Sequence, residues 1–326
     1  MIQKVHISDC DHKDIETEKT VFEGAGVAWE LHQCRTEADV ITHCRGARVL
    51  LNQYAPMNET VFSALGDLKC VVRYGVGYDN INIEDATRYG VQVCNVPDYG
   101  ISEVADHALS LMLSLVRKIH MVVPLTRAGV WDYRRTIPIH RASAQTVGIV
   151  GVGRIGTAFA KRVKALGYRV IGCDIRYRVG ERHPLDFIEL VSFEEVLKQS
   201  DIISIHASYN ETSRMLFNIG SMRRMKAGSY LVNVSRGGII DEDALANVVS
   251  SGHLAGAALD VSMTEPLSHT SKLYEVPGIL VTPHMAWYSE ESAIDLKGKC
   301  AEEAVRFLRG EGVRNPVNKP MEVGNL

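Results

Sequence analysis

The chain has no C-x-x-C pair, no H-E-x-x-H and no run of about 18 apolar residues. Each absence removes a class of protein. Without paired His and carboxylate spacing there is no sign of a metal hydrolase, and no metal is expected. Without a long apolar run, no membrane-spanning helix is expected. The opening residues, MIQKVHISDC, lack a basic stretch followed by an apolar one, so no secretory signal is expected. The formal net charge is only −3, which gives no electrostatic reason to expect a direct nucleic-acid partner or an anionic membrane. Seven cysteines, odd in number and scattered, suit reduced thiols in a cytoplasm. Neither internal repeats nor low-complexity tracts are present.

What remains is an ordinary globular composition, 46% hydrophobic with 23% charged residues, over 326 residues. That length suffices for two domains, each with its own core. Short β-branched runs alternate with helical stretches twice. The first set reads as strands at 4–9, 47–52, 70–75 and 91–96; the second at 146–150, 168–173, 201–206, 229–234, 255–261 and 278–282. Such alternation predicts parallel sheets of the doubly wound α/β kind. One long helix is expected from Ile101 to about Val123, capped by Ser102. A loop follows over about 124–145, and a last helix over about 289–310 has Ile294, Leu296, Val305 and Leu308 on its apolar side.

The chemistry begins at TVGIVGVGRIGTAFAKR, which holds G-x-G-x-x-G as Gly151, Gly153 and Gly156 between a strand and a helix. Gly151 permits a tight turn, Gly153 lets the backbone approach a pyrophosphate, and Gly156 allows close packing of helix on strand. Arg154 and Ile155 open the helix whose amino terminus faces the phosphates. The next strand ends at Asp174, about 20 residues on, where a carboxylate takes both ribose hydroxyls and disfavours a 2′-phosphate. NAD is therefore the expected cofactor. Arg176 and Arg178 leave two readings open, a grip on that phosphate or a solvated loop.

In open α/β sheets ligands bind beyond the carboxyl ends of the strands. Polar residues there are His206, Ser235, Arg236, Asp260, Glu265 and His284. Reducing a 2-oxo acid needs a cation for the carboxylate, a proton donor at the carbonyl oxygen and a hydride source. Arg236 suits the first, through its planar fork. His284 suits the second, with Glu265 favouring the protonated ring and orienting it. Each has a plainer alternative: Arg236 as a turn cap, Glu265 as a solvated loop acid, His284 as a buried hydrogen-bonded histidine. His107 reads as structural, and His206 as near the cofactor without a catalytic role.

These stretches resemble the D-isomer-specific 2-hydroxyacid dehydrogenases, a family that includes phosphoglycerate, glycerate, formate and D-lactate dehydrogenases. The resemblance runs through RYGVGYDNINIEDA (73–86), CNVPDYGISEVADHALSLML (94–113), TVGIVGVGRIG (146–156), LVNVSRGGIIDEDAL (231–245), AALDVSMTEPL (257–267) and VTPHMAWYSEES (281–292). It implies that Arg236, Glu265 and His284 are the catalytic residues, that Val76 and Gly77 offer amides to the substrate carboxylate, and that Asp260 contacts the nicotinamide amide. It also implies a Rossmann NAD-binding domain, 100–290, inserted in a smaller flavodoxin-like substrate domain, 1–99 with 291–326, closing over a cleft that excludes water.

HMAWYSEES is most similar to the branch containing carboxy-terminal binding protein, a transcriptional corepressor. Trp287 would then face the substrate and favour a bulkier side chain than glyoxylate; simple packing is its alternative. Ser235 and Thr212 join the cofactor contacts, although HASYNET (206–212) departs from the family's H-C-P-L-T. A homodimer through the nucleotide-binding domain is implied, involving the helix at about 101–121; Arg134, Arg135 and Arg141 have two readings, reaching a phosphate or second carboxylate of the substrate or serving that interface, and the interface is the one expected. The chain ends soon after the dehydrogenase core, so no regulatory domain is expected. The expected function is hydride transfer between NAD(H) and a small 2-oxo or D-2-hydroxy acid. Its rival is an NAD(H)-sensing oligomeric scaffold or corepressor-like protein with little turnover, for which a complete Arg, Glu and His set has no use.

Overall fold

The computed structural model describes residues 4–321. It comprises two compact units, Met1–Gly100 with Ser289–Leu326, and Ile101–Tyr288. The chain enters the first through β1 (Lys4–Ile7), α1 (Glu16–Ala25), β2 (Ala28–Leu31), α2 (Glu37–His43), β3 (Val49–Asn52), α3 (Glu59–Ala64), β4 (Cys70–Arg73), α4 (Ile83–Arg88) and β5 (Gln92–Cys94). All pairings are parallel, in the order β2-β1-β3-β4-β5, the flavodoxin-like arrangement. Helices cover both faces, so strands such as VLLN in β3 are buried throughout. Polar side chains start the helices: Thr36 caps α2, Asn58 caps α3 and Asn82 caps α4.

The chain then enters the second unit through α5 (Ile101–Val116) and α6 (Ile119–Arg127). The single helix expected here is two, bent by 62°. The break lies at Lys118, which takes the left-handed conformation with φ 55. Ser102 lies inside the first turn of α5 instead of capping it. After short 3₁₀ turns at Tyr133–Thr136 and Ala142–Ala144 come β6 (Thr146–Val150), α7 (Arg154–Ala165), β7 (Arg169–Cys173), β8 (Ile188–Leu190), α8 (Phe193–Gln199) and β9 (Ile202–Ile205). They are followed by α9 (Ile219–Arg224), β10 (Tyr230–Asn233), α10 (Glu242–Ser250), β11 (Gly256–Leu259) and β12 (Ile279–Val281).

The second sheet is parallel in the order β12-β11-β10-β9-β6-β7-β8. The order reverses between β6 and β9, the topological switch point of a doubly wound sheet. One face packs Ile203, Ile205, Leu231 and Leu259 against the side of α8, α9 and α10; the other packs Val147, Ile149 and Ile202 against α5 and α7 through Leu115, Phe159 and Val163. Each such side chain taken from water contributes about 1.5–3 kcal/mol. The apolar stack thus fixes the strand ends, where polar residues project.

The last helix, α11 (Glu290–Leu308), belongs to the first unit and packs on α1. Its buried side differs from expectation. Leu296 and Val305 face inward, but Ile294 is 58% exposed, and Cys300, Ala301 and Ala304 fill the contact. Lys297 is also buried, its Nζ 2.8 Å from Asp14 Oδ1. Strands β2 and β8 escape a reading of β-branched runs: both are edge strands, and AWEL and IEL are short with a charged residue between apolar ones. Among the described residues no single helix is long and apolar enough to cross a membrane.

Candidate active site

Beyond β6 the chain turns through Gly151 at φ +94. A methyl group there would strike the Ala207 amide and the His206 carbonyl at 2.6–2.7 Å. A methyl on Gly156 would overlap the Gly151 carbonyl oxygen. Gly153 is different: only the Arg176 guanidinium, at 3.5 Å, lies near where its Cβ would be. Two glycines are thus required by the fold, and the third keeps the outer side of the turn open. Gly153 is also the N-cap of α7, with no side-chain cap and no acid in the first turn formed by Arg154, Ile155 and Gly156. Helix amino-terminal amides presented this way favour an anion.

Asp174 follows β7. Its Oδ2 accepts from the Val152 amide at 3.0 Å, tying it to the glycine turn. Arg176 engages the same carboxylate with both arms, Nε to Oδ1 at 2.9 Å and Nη2 to Oδ2 at 2.7 Å. Burial alone would push this carboxyl up, but the hydrogen bonds from Arg176 outweigh it and hold it below the ordinary carboxylate range. Sequence reading left Arg176 either on a phosphate or in solvent; it sits on Asp174 itself. A ribose claiming both carboxylate oxygens would displace it.

At the other flank, Arg236 follows β10, Glu265 lies in the loop after β11, and His284 follows β12. The fold brings Glu265 and His284 together, Oε2 to Nδ1 at 2.6 Å. Glu265 Oε1 accepts from the Ser262 amide at 3.0 Å. Burial would raise the Glu265 carboxyl, yet His284, the Ser262 amide and the nearby Arg236 charge hold it below the usual range. With Nδ1 committed to an ionised carboxylate, the other ring nitrogen, Nε2, is left for chemistry. Arg236 turns one guanidinium nitrogen back to the Ser235 carbonyl at 2.8 Å, which fixes the root of its fork.

His284 has φ 50, a conformation that costs a residue with a β-carbon about 1–2 kcal/mol. Asp260, 1% exposed at the end of β11, braces it. The Asp260 carbonyl accepts from the His284 amide at 2.8 Å. Its carboxylate accepts from the Thr282 hydroxyl at 2.6 Å and from the Met285 and Ala286 amides at 3.0 and 2.8 Å. His107 of α5 lies 3.3 Å from the carboxylate and 3.0 Å from the Thr282 hydroxyl. Burial opposes ionisation, but these bonds keep the carboxyl below its ordinary range. Asp260 therefore spends both oxygens within the protein. Thr282, which sequence reading assigned to the strand, and Arg176 are the partners it missed.

The remaining candidates take quieter places. His206 packs its ring on Phe159 at 5.0 Å between centroids and shares a 2.8 Å bond with the Ser204 hydroxyl; burial pushes the imidazole down to about 3, a neutral ring. Ser235 donates to the Ile205 carbonyl at 2.9 Å, joining the ends of β9 and β10. Thr212 is exposed and donates to Asn210 Oδ1 at 2.6 Å within a turn. Trp287 is half-buried and meets Tyr288 edge-on, with 5.6 Å between ring centroids. Val76 and Gly77 belong to the other unit, in the loop after β4, where Asn95 donates to the Val76 carbonyl at 2.6 Å.

Comparison with known proteins decides the lineage. The model for the NAD-binding domain of D-isomer specific 2-hydroxyacid dehydrogenases matches residues 109–286, more than half of the 326-residue chain. The chain belongs to this family. A D-3-phosphoglycerate dehydrogenase of Archaeoglobus fulgidus is 35% identical over 272 residues, 83% of this chain and 51% of that protein. The chain thus spans about half the length of the curated relative it matches. Among solved structures, a glyoxylate reductase from Paecilomyes thermophila superposes with a TM-score of 0.85 at 26% identity, covering 96% of this chain and 97% of that one. A D-lactate dehydrogenase from Treponema pallidum does so with 0.80 at 26%, covering 97% and 100%. The matched residues lie within the Ile101–Tyr288 unit, which thus holds the NAD-binding domain, and the fold is α/β with two parallel sheets.

Proposed function

We propose that the protein is an NAD-dependent D-2-hydroxyacid dehydrogenase acting on a small 2-oxo or 2-hydroxy acid. The observation that carries this reading is the 2.6 Å contact of His284 Nδ1 with Glu265 Oε2 on the rim that also bears Arg236. The residues present fit NAD: an uncapped helix terminus behind Gly153 for the pyrophosphate, and Asp174 for the ribose. When bound, the nicotinamide supplies the hydride that adds to C2 of the 2-oxo acid, or takes it back. Arg236 holds the substrate carboxylate. His284 gives a proton from Nε2 to the carbonyl oxygen, leaving a neutral ring and a 2-hydroxy acid; Glu265 keeps the ring in position and stabilises its charged form. Trp287 favours a side chain larger and more apolar than that of glyoxylate.

A sensor or scaffold gains nothing from a proton donor held by a carboxylate, so the Glu265–His284 contact favours turnover. The test is NADH consumption by the purified protein with glyoxylate, hydroxypyruvate, phenylpyruvate and 2-oxoglutarate. Turnover of one class supports the reading and identifies the substrate; NADH binding with no turnover of any favours the scaffold.

A homodimer through the NAD-binding unit is part of the proposal. Ile119, Met121 and Val123 of α6 are exposed, and Trp131 beyond it is 91% exposed, with Tyr133 and Ile137 close in sequence. Clustered apolar side chains of this kind mark an association surface. Sedimentation of wild type and Trp131→Lys checks it: a dimer is expected for the first and a shift toward monomer for the second. A cytoplasmic location completes the proposal, supported by seven cysteines that all stand as free thiols.

A further inference from the structure

The Met1–Gly100 unit contains a cluster of nitrogen and sulfur donors that the function proposed above does not use. His6 is the third residue of β1 and pairs with Leu50 of β3. Paired residues of a parallel sheet share a face, and Leu50 belongs to an apolar cluster with Cys34, Val40, Cys44 and Ala47. An imidazole, 5% exposed, thus stands between that apolar, thiol-bearing cluster and the Lys4–Glu30 ion pair, Glu30 being its partner on β2. His32 is the first residue beyond the edge strand β2, and its Nε2 lies 3.1 Å from His6 Nδ1. Cys44 closes α2 and is fully buried. One donor atom from each of His6, His32 and Cys44 lies within 4.8 Å of the other two.

Two neighbours enlarge the cluster. Cys34, itself buried, belongs to the same apolar cluster as Cys44. His43 stacks on His32 with 5.7 Å between ring centroids. The donors are imidazoles and thiols, a set that selects a borderline-soft cation and not Mg²⁺ or Ca²⁺. The dimensions suit tetrahedral zinc. Bonds of about 2.05 Å to nitrogen and 2.3 Å to sulfur put ligand nitrogens about 3.3 Å apart and nitrogen and sulfur about 3.6 Å apart. The two histidines already stand at such an edge. Cys44, within 4.8 Å of both, has to approach by at most about 1 Å, within the reach of a side-chain rotation.

We propose that His6, His32 and Cys44 form a Zn²⁺ site, with the Cys34 thiol as fourth donor, which staples the edge strand β2 to β1 and to the end of α2. The four residues are scattered through positions 6 to 44 and carry no zinc-like spacing; the parallel crossover brings them together. A closed site of two sulfurs and two nitrogens is structural in kind. It protects the sheet edge and takes no part in hydride transfer.

The test uses the full, tag-free chain, reduced and stripped with a chelator, then titrated with Zn²⁺ against a chromogenic competitor and separately with Co²⁺ as a spectroscopic stand-in. One Zn²⁺ per chain, a higher melting temperature with Zn²⁺, and a thiolate-to-cobalt charge-transfer band are expected. His32→Gln and Cys44→Ser should each weaken Zn²⁺ binding by more than about ten-fold, and Cys44→Ser should diminish the cobalt band. Because Cys44 is buried and its variant can lose the fold, His32→Gln at a half-exposed position decides the matter, with circular dichroism verifying its structure. Wild type that binds no stoichiometric Zn²⁺, or a folded His32→Gln that binds as tightly as wild type, overturns the proposal and leaves the pair as two histidines hydrogen-bonded to each other.

Discussion

The two flanks of the larger sheet solve different problems with different materials. On the β6–β7 side the architecture is backbone: Gly151 and Gly156 are required because a methyl group would collide with the chain, and Gly153 leaves room outside the turn. On the β10–β12 side it is side-chain hydrogen bonding, in which Asp260, Thr282 and His107 hold a strained His284 against Glu265. A cofactor's phosphates need a cradle of amides, which any sequence supplies if it keeps its β-carbons away. Proton transfer needs one imidazole nitrogen aimed within a fraction of an ångström, and a chain of hydrogen-bonded partners rooted in a buried Asp260 achieves that.

The sharpest way to break this contrast is at the brace. Asp260→Asn should cost about 3 kcal/mol of stability at neutral pH, since it leaves buried donors without a charged acceptor. The folded Asp260 carboxyl lies below its unfolded value, so its contribution is present above the ordinary carboxylate range and fades as pH falls through the lowered one. Urea midpoints measured across acid pH should therefore show a shallower acid loss in the variant; parallel curves would remove Asp260 from the account.

Arg236→Lys should lower kcat/KM for the 2-oxo acid by roughly ten- to a hundred-fold, because an ammonium cannot reproduce the fork, while NADH titration stays unchanged. Gly153→Ala probes the backbone flank. Its Cβ has space, so the fold should survive within about 0.5 kcal/mol, yet fluorescence titration should find NADH bound about ten-fold more weakly as the methyl meets the pyrophosphate. The smallest effect is expected from Arg176→Ala. Freed of its bidentate partner, Asp174 should bind NADH a few-fold more tightly; weaker binding would mean that Arg176 itself serves the cofactor.

The same contrast explains what a sequence discloses. The fold class and the glycine turn are local: β-branched runs, a hexapeptide and an acid at the next strand end lie within one βαβ unit. Edge strands β2 and β8 were not legible, because a short half-exposed strand needs few β-branched residues. Nor was the break at Lys118, where a lysine takes a left-handed conformation usually signalled by glycine or asparagine. At the site, strand-end position nominates Arg236, Glu265 and His284, but the partnership of His107 with Thr282 joins positions 175 apart. Arg176 lay in plain view two residues from Asp174, and only the side-chain geometry reveals that it occupies the carboxylate.

The most direct test of the central claim is a paired measurement on His284→Gln: steady-state reduction of the best 2-oxo acid, and the dissociation constant for NADH. The account predicts that kcat falls by about 10²–10⁴ while NADH binding changes by less than about two-fold. Comparable turnover in the variant, or loss of NADH binding in parallel with activity, would contradict the assignment of His284 as the proton donor.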